Sequence, residues 1–223
     1  MDVFEEKNLS KIFKCLNEQQ PYKLISRESN TLEFKESFSK HALAKYAKTM
    51  AAFANRDGGY LIFGVKDKPR TVVGLKDSSF DEYDDEKIVE KLNEYFSPEI
   101  TFLRTTIKYL DLNIGIIYVY QSISKPIVCT KSIQNNGSFT IREGAIYYRY
   151  SAKSSEIKYS DLRIMLENVK ENERKLWMQT ITKIAKIGVN NLSLINLKDG
   201  KLNVNCFGKN KELFVDEKVI KIS

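Results

Sequence analysis

MAAFANRDGGYLIFGVKD, residues 50–67, decides the architecture. Its first part closes a helical run. Across 40–55, KHALAKYAKTMAAFAN, Leu43, Ala47, Met50, Ala51 and Ala54 recur at helical spacing in an alanine-rich stretch. Asn55-Arg56-Asp57-Gly58-Gly59 then reads as a helix stop and a tight turn. YLIFGV, 60–65, is apolar at successive positions, which predicts a central strand covered on both faces. A turn at 67–70 leads to TVVGL, a pairing strand.

Upstream lies ESNTLEFKES, 28–37, where Leu32 and Phe34 alternate with Glu33 and Lys35. That alternation predicts a strand with one oily and one charged face, Glu33 pointing away from the core. Residues 4–18 read as an amphipathic helix ended by Pro21. An acidic stretch holds a helix at about 84–96. Strands are expected at 101–109, 113–120, 126–131, 138–142 and 145–150, with turns between them. A helix over 160–187 is expected to start at Ser160 as cap. Its Trp177, Ile181, Ile184 and Ile187 share an apolar face that suits a dimer contact or packing back onto the main domain. The tail alternates in short strands, LSLINL, KLNVNCF and ELFVDEKVIKI. The order predicts an α+β fold, a mixed and mostly antiparallel sheet flanked by helices, with an α/β C-terminal extension. The regions are an N-terminal helix (1–20), a main domain (21–168) and a basic extension (169–223).

Charge is segregated. Residues 77–99 carry nine acids against two lysines, while 21–76 carry eleven Lys or Arg against five acids, and 170–223 eleven against six. Against a net charge of +7, such basic regions suit a polyanion such as nucleic acid, although a lysine-rich solvated surface gives the same count. Cys15, Cys129 and Cys206 are far apart and odd in number, which argues against a zinc site or disulfide framework and fits a reducing cytoplasm. No apolar run has the length of a membrane span. Neither GxGxxG nor GxxxxGK[ST] occurs, so no nucleotide cofactor is supported.

Carboxylates offer the best lead to chemistry. Glu33 sits on the charged face of its strand, and Asp67 ends the central strand. Glu28, five positions before Glu33, converges with it only if the chain turns at 28–30, which Ser29-Asn30 permits. Three converging carboxylates would bind Mg²⁺ or Mn²⁺, and Lys35 could neutralise developing charge on a phosphate. The same spacing also fits a solvent-facing Glu33–Lys35 pair and a plain turn at Asp67. Candidate nucleic-acid contacts are Arg56, Lys66, Lys68 and Arg70, and later Arg142, Arg149 and Lys153. In IREGAIYYRYSAKS, Tyr147, Tyr148 and Tyr150 interleave with Arg149 as base-stacking and phosphate-holding groups do. A hairpin packing its tyrosines on the core is the alternative.

The order LEFK, AFANRDGGYLIFGVKD, TVVGL, SPEI, KPIV and GAIYYRYSAKS, over about 25–167, resembles the Schlafen-type AlbA-like domain, also called the divergent AAA-4 domain in bacteria. The resemblance implies nucleic-acid binding, RNA more than DNA. Certain animal Schlafen proteins are endoribonucleases acting on tRNA and rRNA, and their acidic triad falls on Glu28, Glu33 and Asp67 of this chain. Two departures follow. The zinc site of those enzymes has no cysteine–histidine set here, and they carry two lobes where this chain has one. A homodimer would rebuild the paired lobes. Many bacterial relatives resemble non-catalytic DNA-binding or regulatory modules, which is the alternative function.

Overall fold

The computed structural model describes residues 3–135 and 137–187, and beyond them the backbone of four short strands. The chain forms two compact units, Met1–Leu166 and Glu167–Ser223. The first unit opens with α1 (Glu6–Ile12), β1 (Leu32–Lys35), a 3-10 turn (Lys40–Ala42) and α2 (Leu43–Ala54). Next come β2 (Gly59–Phe63), β3 (Val65–Lys66), β4 (Thr71–Val72), α3 (Ser79–Glu82) and α4 (Asp85–Tyr95). The β-rich part holds β5 (Phe96–Ser97), β6 (Phe102–Tyr109), β7 (Leu112–Val119), β8 (Val128–Cys129), β9 (Ile133–Asn135), β10 (Ser138–Ile141), β11 (Tyr147–Tyr150) and β12 (Lys153–Glu156). Helix α5 (Tyr159–Ile187) runs across the division. The second unit adds a four-stranded sheet in the order β14-β13-β15-β16, from β13 (Leu192–Asn196), β14 (Lys201–Asn203), β15 (Lys211–Val215) and β16 (Lys218–Ile222). The side chains of Ile187 and of the tail strands LSLINL, KLNVNCF and ELFVDEKVIKI lie outside the described residues.

The central sheet runs β1-β2-β7-β6, with β1 parallel to β2 and the other pairs antiparallel. This is the mixed, mostly antiparallel α+β arrangement expected. β2 is interior, and its continuous apolar run follows from having a core on each side. On one side Leu61, Phe63, Ile117 and Val119 pack with α2 and α4 residues, including Met50, Phe53, Ile88 and Leu92. On the other, Leu32, Phe34, Ile62, Ile114 and Ile116 pack with Ile12 and Phe13. The Gly58-Gly59 turn is steric in origin. Gly58 has φ +75°, and a Cβ on it would lie 2.6 Å from the Val119 carbonyl oxygen; one on Gly59 would lie 2.8 Å from that of Thr31.

Three local expectations change. α1 stops at Ile12 rather than running to 18, because Phe13 leaves the helix to stack on Tyr109 with ring centroids 5.1 Å apart. The chain then doubles back, with Leu16 N–H donating to Lys23 O and Ile25 N–H to Lys14 O. The segment 1–20 therefore contributes to the core of the first unit. Ser160 lies inside the first turn of α5 and not at its cap. β12, KSSE, escapes the apolar pattern because it carries no apolar residue; it pairs antiparallel with β11.

Candidate nucleic-acid interface

The turn needed to bring Glu28 toward Glu33 is present. Ser29 N–H donates to Leu32 O at 2.9 Å, and Thr31 N–H to Ser29 Oγ at 3.2 Å. Glu28 thus folds back, and its Oε1 accepts from Phe34 N–H at 2.9 Å. Burial pushes the Glu28 carboxyl pKa up; the Phe34 hydrogen bond opposes this, while the charges of Glu33 and Asp67 add to it. The three acids therefore share one electrostatic neighbourhood.

Glu33 is not on a solvated face. Its register partner is Leu61, so it points to the same side of the sheet as Leu61, toward α2. It is 7 % exposed. Lys35 Nζ meets its Oε1, and Arg149 Nη2 meets its Oε2. The Arg149 contact is one of charge, since no aligned hydrogen bond reaches Oε2. Arg149 itself is 1 % exposed, so its expected role on a phosphate is corrected to an internal one. Its Nε donates to Ser29 O at 2.9 Å, Nη2 to Leu32 O at 3.1 Å and Nη1 to Ser154 Oγ at 3.2 Å. Its guanidinium lies 5.2 Å from the Phe53 ring centroid. One planar fork thus ties the loop before β1, β1 itself and the β11–β12 hairpin together, which a lysine could not do.

These contacts bear on the expected Mg²⁺ or Mn²⁺. Both Glu33 oxygens face cations of the chain, one Glu28 oxygen is held by a backbone N–H, and Asp67 is exposed on its turn. Among the described residues, no group of three or more His, Cys, Asp or Glu is placed to hold a metal ion. As arranged, Glu28, Glu33 and Asp67 do not fit a shared divalent cation.

The other cations divide by commitment. Arg56 Nη1 donates to Arg149 O, its Nε pairs with Asp57 at 3.3 Å, and its guanidinium lies 5.2 Å from the Tyr148 ring centroid. Lys66, Lys68 and Lys153 are exposed. Arg70 is half-buried, its Nε donating to Leu24 O at 3.3 Å. Arg142 forms a two-pronged pair with Glu156 on the hairpin surface, Nη2 to Oε2 at 2.7 Å and Nε to Oε1 at 3.1 Å.

Within β11, Tyr147 and Arg149 are buried while Tyr148 and Tyr150 are only half-buried. Lys158 Nζ lies 5.1 Å from the Tyr150 ring centroid. Lys125, absent from the expected set, donates to Arg56 O at 2.6 Å, and burial pushes its pKa down. Also unforeseen is Asn55, 1 % exposed at the end of α2. Its Nδ2 donates to Ile127 O and Tyr147 O, both at 2.9 Å, and its Oδ1 accepts from Ile127 N–H at 2.7 Å. The helix-stop reading of Asn55 carried no sign of that second role.

Comparison with known proteins follows this geometry. The family model described as Schlafen, AlbA_2 matches residues 28–158. An uncharacterized ATP-binding protein of Ureaplasma parvum, UU034, is 37 % identical over 193 residues, which are 81 % of this chain and 54 % of that protein. The chain thus spans about half the length of that curated relative. Two solved structures are similar over part of the chain. The DIP2311 protein of Corynebacterium diphtheriae aligns with TM-score 0.39 and 18 % identity, over 57 % of this chain and 22 % of that one. The N-terminal domain of a RecG-related protein from Nitrosomonas europaea aligns with TM-score 0.35 and 24 % identity, over 60 % of this chain and 85 % of that one.

Proposed function

Because the chain belongs to the Schlafen, AlbA_2 family, we propose that it is a nucleic-acid-binding module with RNA as the favoured partner. The observation that carries this reading is the solvent side of β11, where Arg56 stands over Tyr148 and Lys158 over Tyr150. Cations beside aromatic rings can hold phosphate and base together. Lys66, Lys68 and Lys153 extend positive charge over the exposed surface. The ATP binding in the name of the Ureaplasma relative is left with that protein, since no GxxxxGK[ST] run occurs in these 223 residues.

The test is fluorescence anisotropy of the full chain with tRNA and with duplex DNA across a salt series. Binding that weakens as salt rises, with tRNA ahead of DNA, supports the reading. Equal binding removes the RNA preference, and no binding at low salt overturns the whole reading. Pairing of two copies would present the face twice. Light scattering of the eluted protein would check it, a monomer mass counting against a homodimer.

Metal-dependent endoribonuclease activity is the second reading, favoured by the neighbourhood that Glu28 shares with Glu33 and Asp67. It would require Glu33 to leave Arg149 and Lys35. Incubating a tRNA pool with Mn²⁺ or Mg²⁺, beside an EDTA control and a Glu33→Gln variant checked for folding, decides it. Cleavage lost in both controls supports a nuclease. Intact tRNA leaves a non-catalytic binding or regulatory module, with the carboxylates structural.

A further inference from the structure

We propose that the outer face of β11 captures unpaired bases and not duplex, an inference that rests on the nucleic-acid reading above. In β11 the inward pair, Tyr147 and Arg149, is locked in the core, so the strand's period of two forces Tyr148 and Tyr150 outward. Their ring centroids are 5.3 Å apart with planes tilted by 59°. Tyr150 is held in place. Its hydroxyl donates to Asp161 at 2.6 Å and accepts from Lys158 N–H at 2.9 Å, so little side-chain freedom remains to be lost on binding.

The neighbouring loop adds an apolar group. Ser122 N–H donates to Ala54 O at 2.9 Å, and Lys125 reaches Arg56 O, which pins residues 122–125 beside the end of α2. From this loop Ile123 stands 99 % exposed. An apolar side chain standing in water, on a loop tied to the Ala54 and Arg56 carbonyls, suits the face of a base.

Charge decides between stacking and phosphate attraction as the main source of binding at this face. Arg56, Lys125, Lys158 and the exposed Lys153, register partner of Tyr150, are set against Asp57 and Asp161, which touch Arg56 and Tyr150. The local excess is two positive charges, too little for binding dominated by counterion release. Stacking must supply the rest, and an aromatic ring can stack only on a base whose face is free. In a duplex those faces are covered by neighbouring base pairs, so the ligand class is single-stranded or looped nucleic acid.

The test uses the full chain and fluorescence anisotropy with labelled oligoadenylate and with an RNA duplex of equal length. The single strand should bind roughly tenfold tighter, as expected for one stacked base. Its log–log salt slope should be shallow, about −1, as for one or two neutralised phosphates. Tyr148→Leu, which keeps apolar bulk, should remove most of the tenfold preference; Tyr148→Phe, which keeps the ring, should retain it; duplex binding should change in neither. Equal binding of strand and duplex overturns the proposal, as does a Tyr148→Phe loss matching that of Tyr148→Leu. Absence of binding to either nucleic acid at low salt is a different result, which overturns the broader reading and this one with it.

Discussion

The two faces of β11 are built from the same residue types and do opposite work. Inside, Tyr147 and Arg149 are sealed, and the guanidinium is spent on backbone carbonyls and Glu33. Outside, Tyr148 and Tyr150 sit under the cations of Arg56 and Lys158 with access to solvent. The difference teaches that an arginine among tyrosines is not a phosphate ligand by composition. Its place in the two-residue period assigns it.

Removing the inner arginine should have the largest effect. Arg149→Ala leaves Glu33 with half its counter-charge and uncovers the Ser29 and Leu32 carbonyls. Breaking a buried pair from one side costs about 3–5 kcal/mol. Urea unfolding should show that loss; a midpoint unchanged from wild type would break the distinction between the faces. Asn55→Ala comes next, at roughly 2–3 kcal/mol, because three buried backbone groups lose their partner. The same unfolding assay checks it.

Glu28→Gln should act through pH. The folded-state Glu28 pKa is raised above its ordinary 4.5, chiefly by burial. Folding therefore favours the protonated form, and that contribution is present below the ordinary value and lost as pH climbs through the raised one. Wild type should decline relative to Glu28→Gln as pH rises above about 4.5. In the variant the amide oxygen can still accept from Phe34 N–H. Parallel stability curves from pH 4 to 7 would refute the assignment. The smallest effect is expected outside: Arg142→Ala removes only the exposed pair with Glu156, and its midpoint should match wild type. A loss rivalling that of Arg149→Ala would collapse the comparison.

The central architecture was legible because it rests on local periodicity. The alanine-rich helix, the Gly58-Gly59 turn and the two-sided strand β2 each declare themselves within a few residues. The Glu28 turn was legible too, from Ser29-Asn30. The burial of Glu33 was not. β1 alone reads as half-exposed, and its charged side is covered by a hairpin whose arginine lies 117 residues from the Leu32 carbonyl it binds. Lys125 and Lys158 were missed for a related reason: each reaches from a loop to a partner that its own sequence neighbourhood does not reveal. β12 was invisible because pairing with β11, and no apolar face of its own, makes it a strand.

Asn55 carries a consequence in time. Its two carbonyl partners lie 72 and 92 residues further along the chain. At a synthesis rate of about 5–20 residues per second, Asn55 emerges roughly 5–20 s before Tyr147 exists to receive its amide. Until then the helix end and strand β2 can assemble, but the clasp that joins them to the hairpin stays open. A nascent chain halted before the hairpin would keep α2 from closing its core, and β11 would have no face to divide.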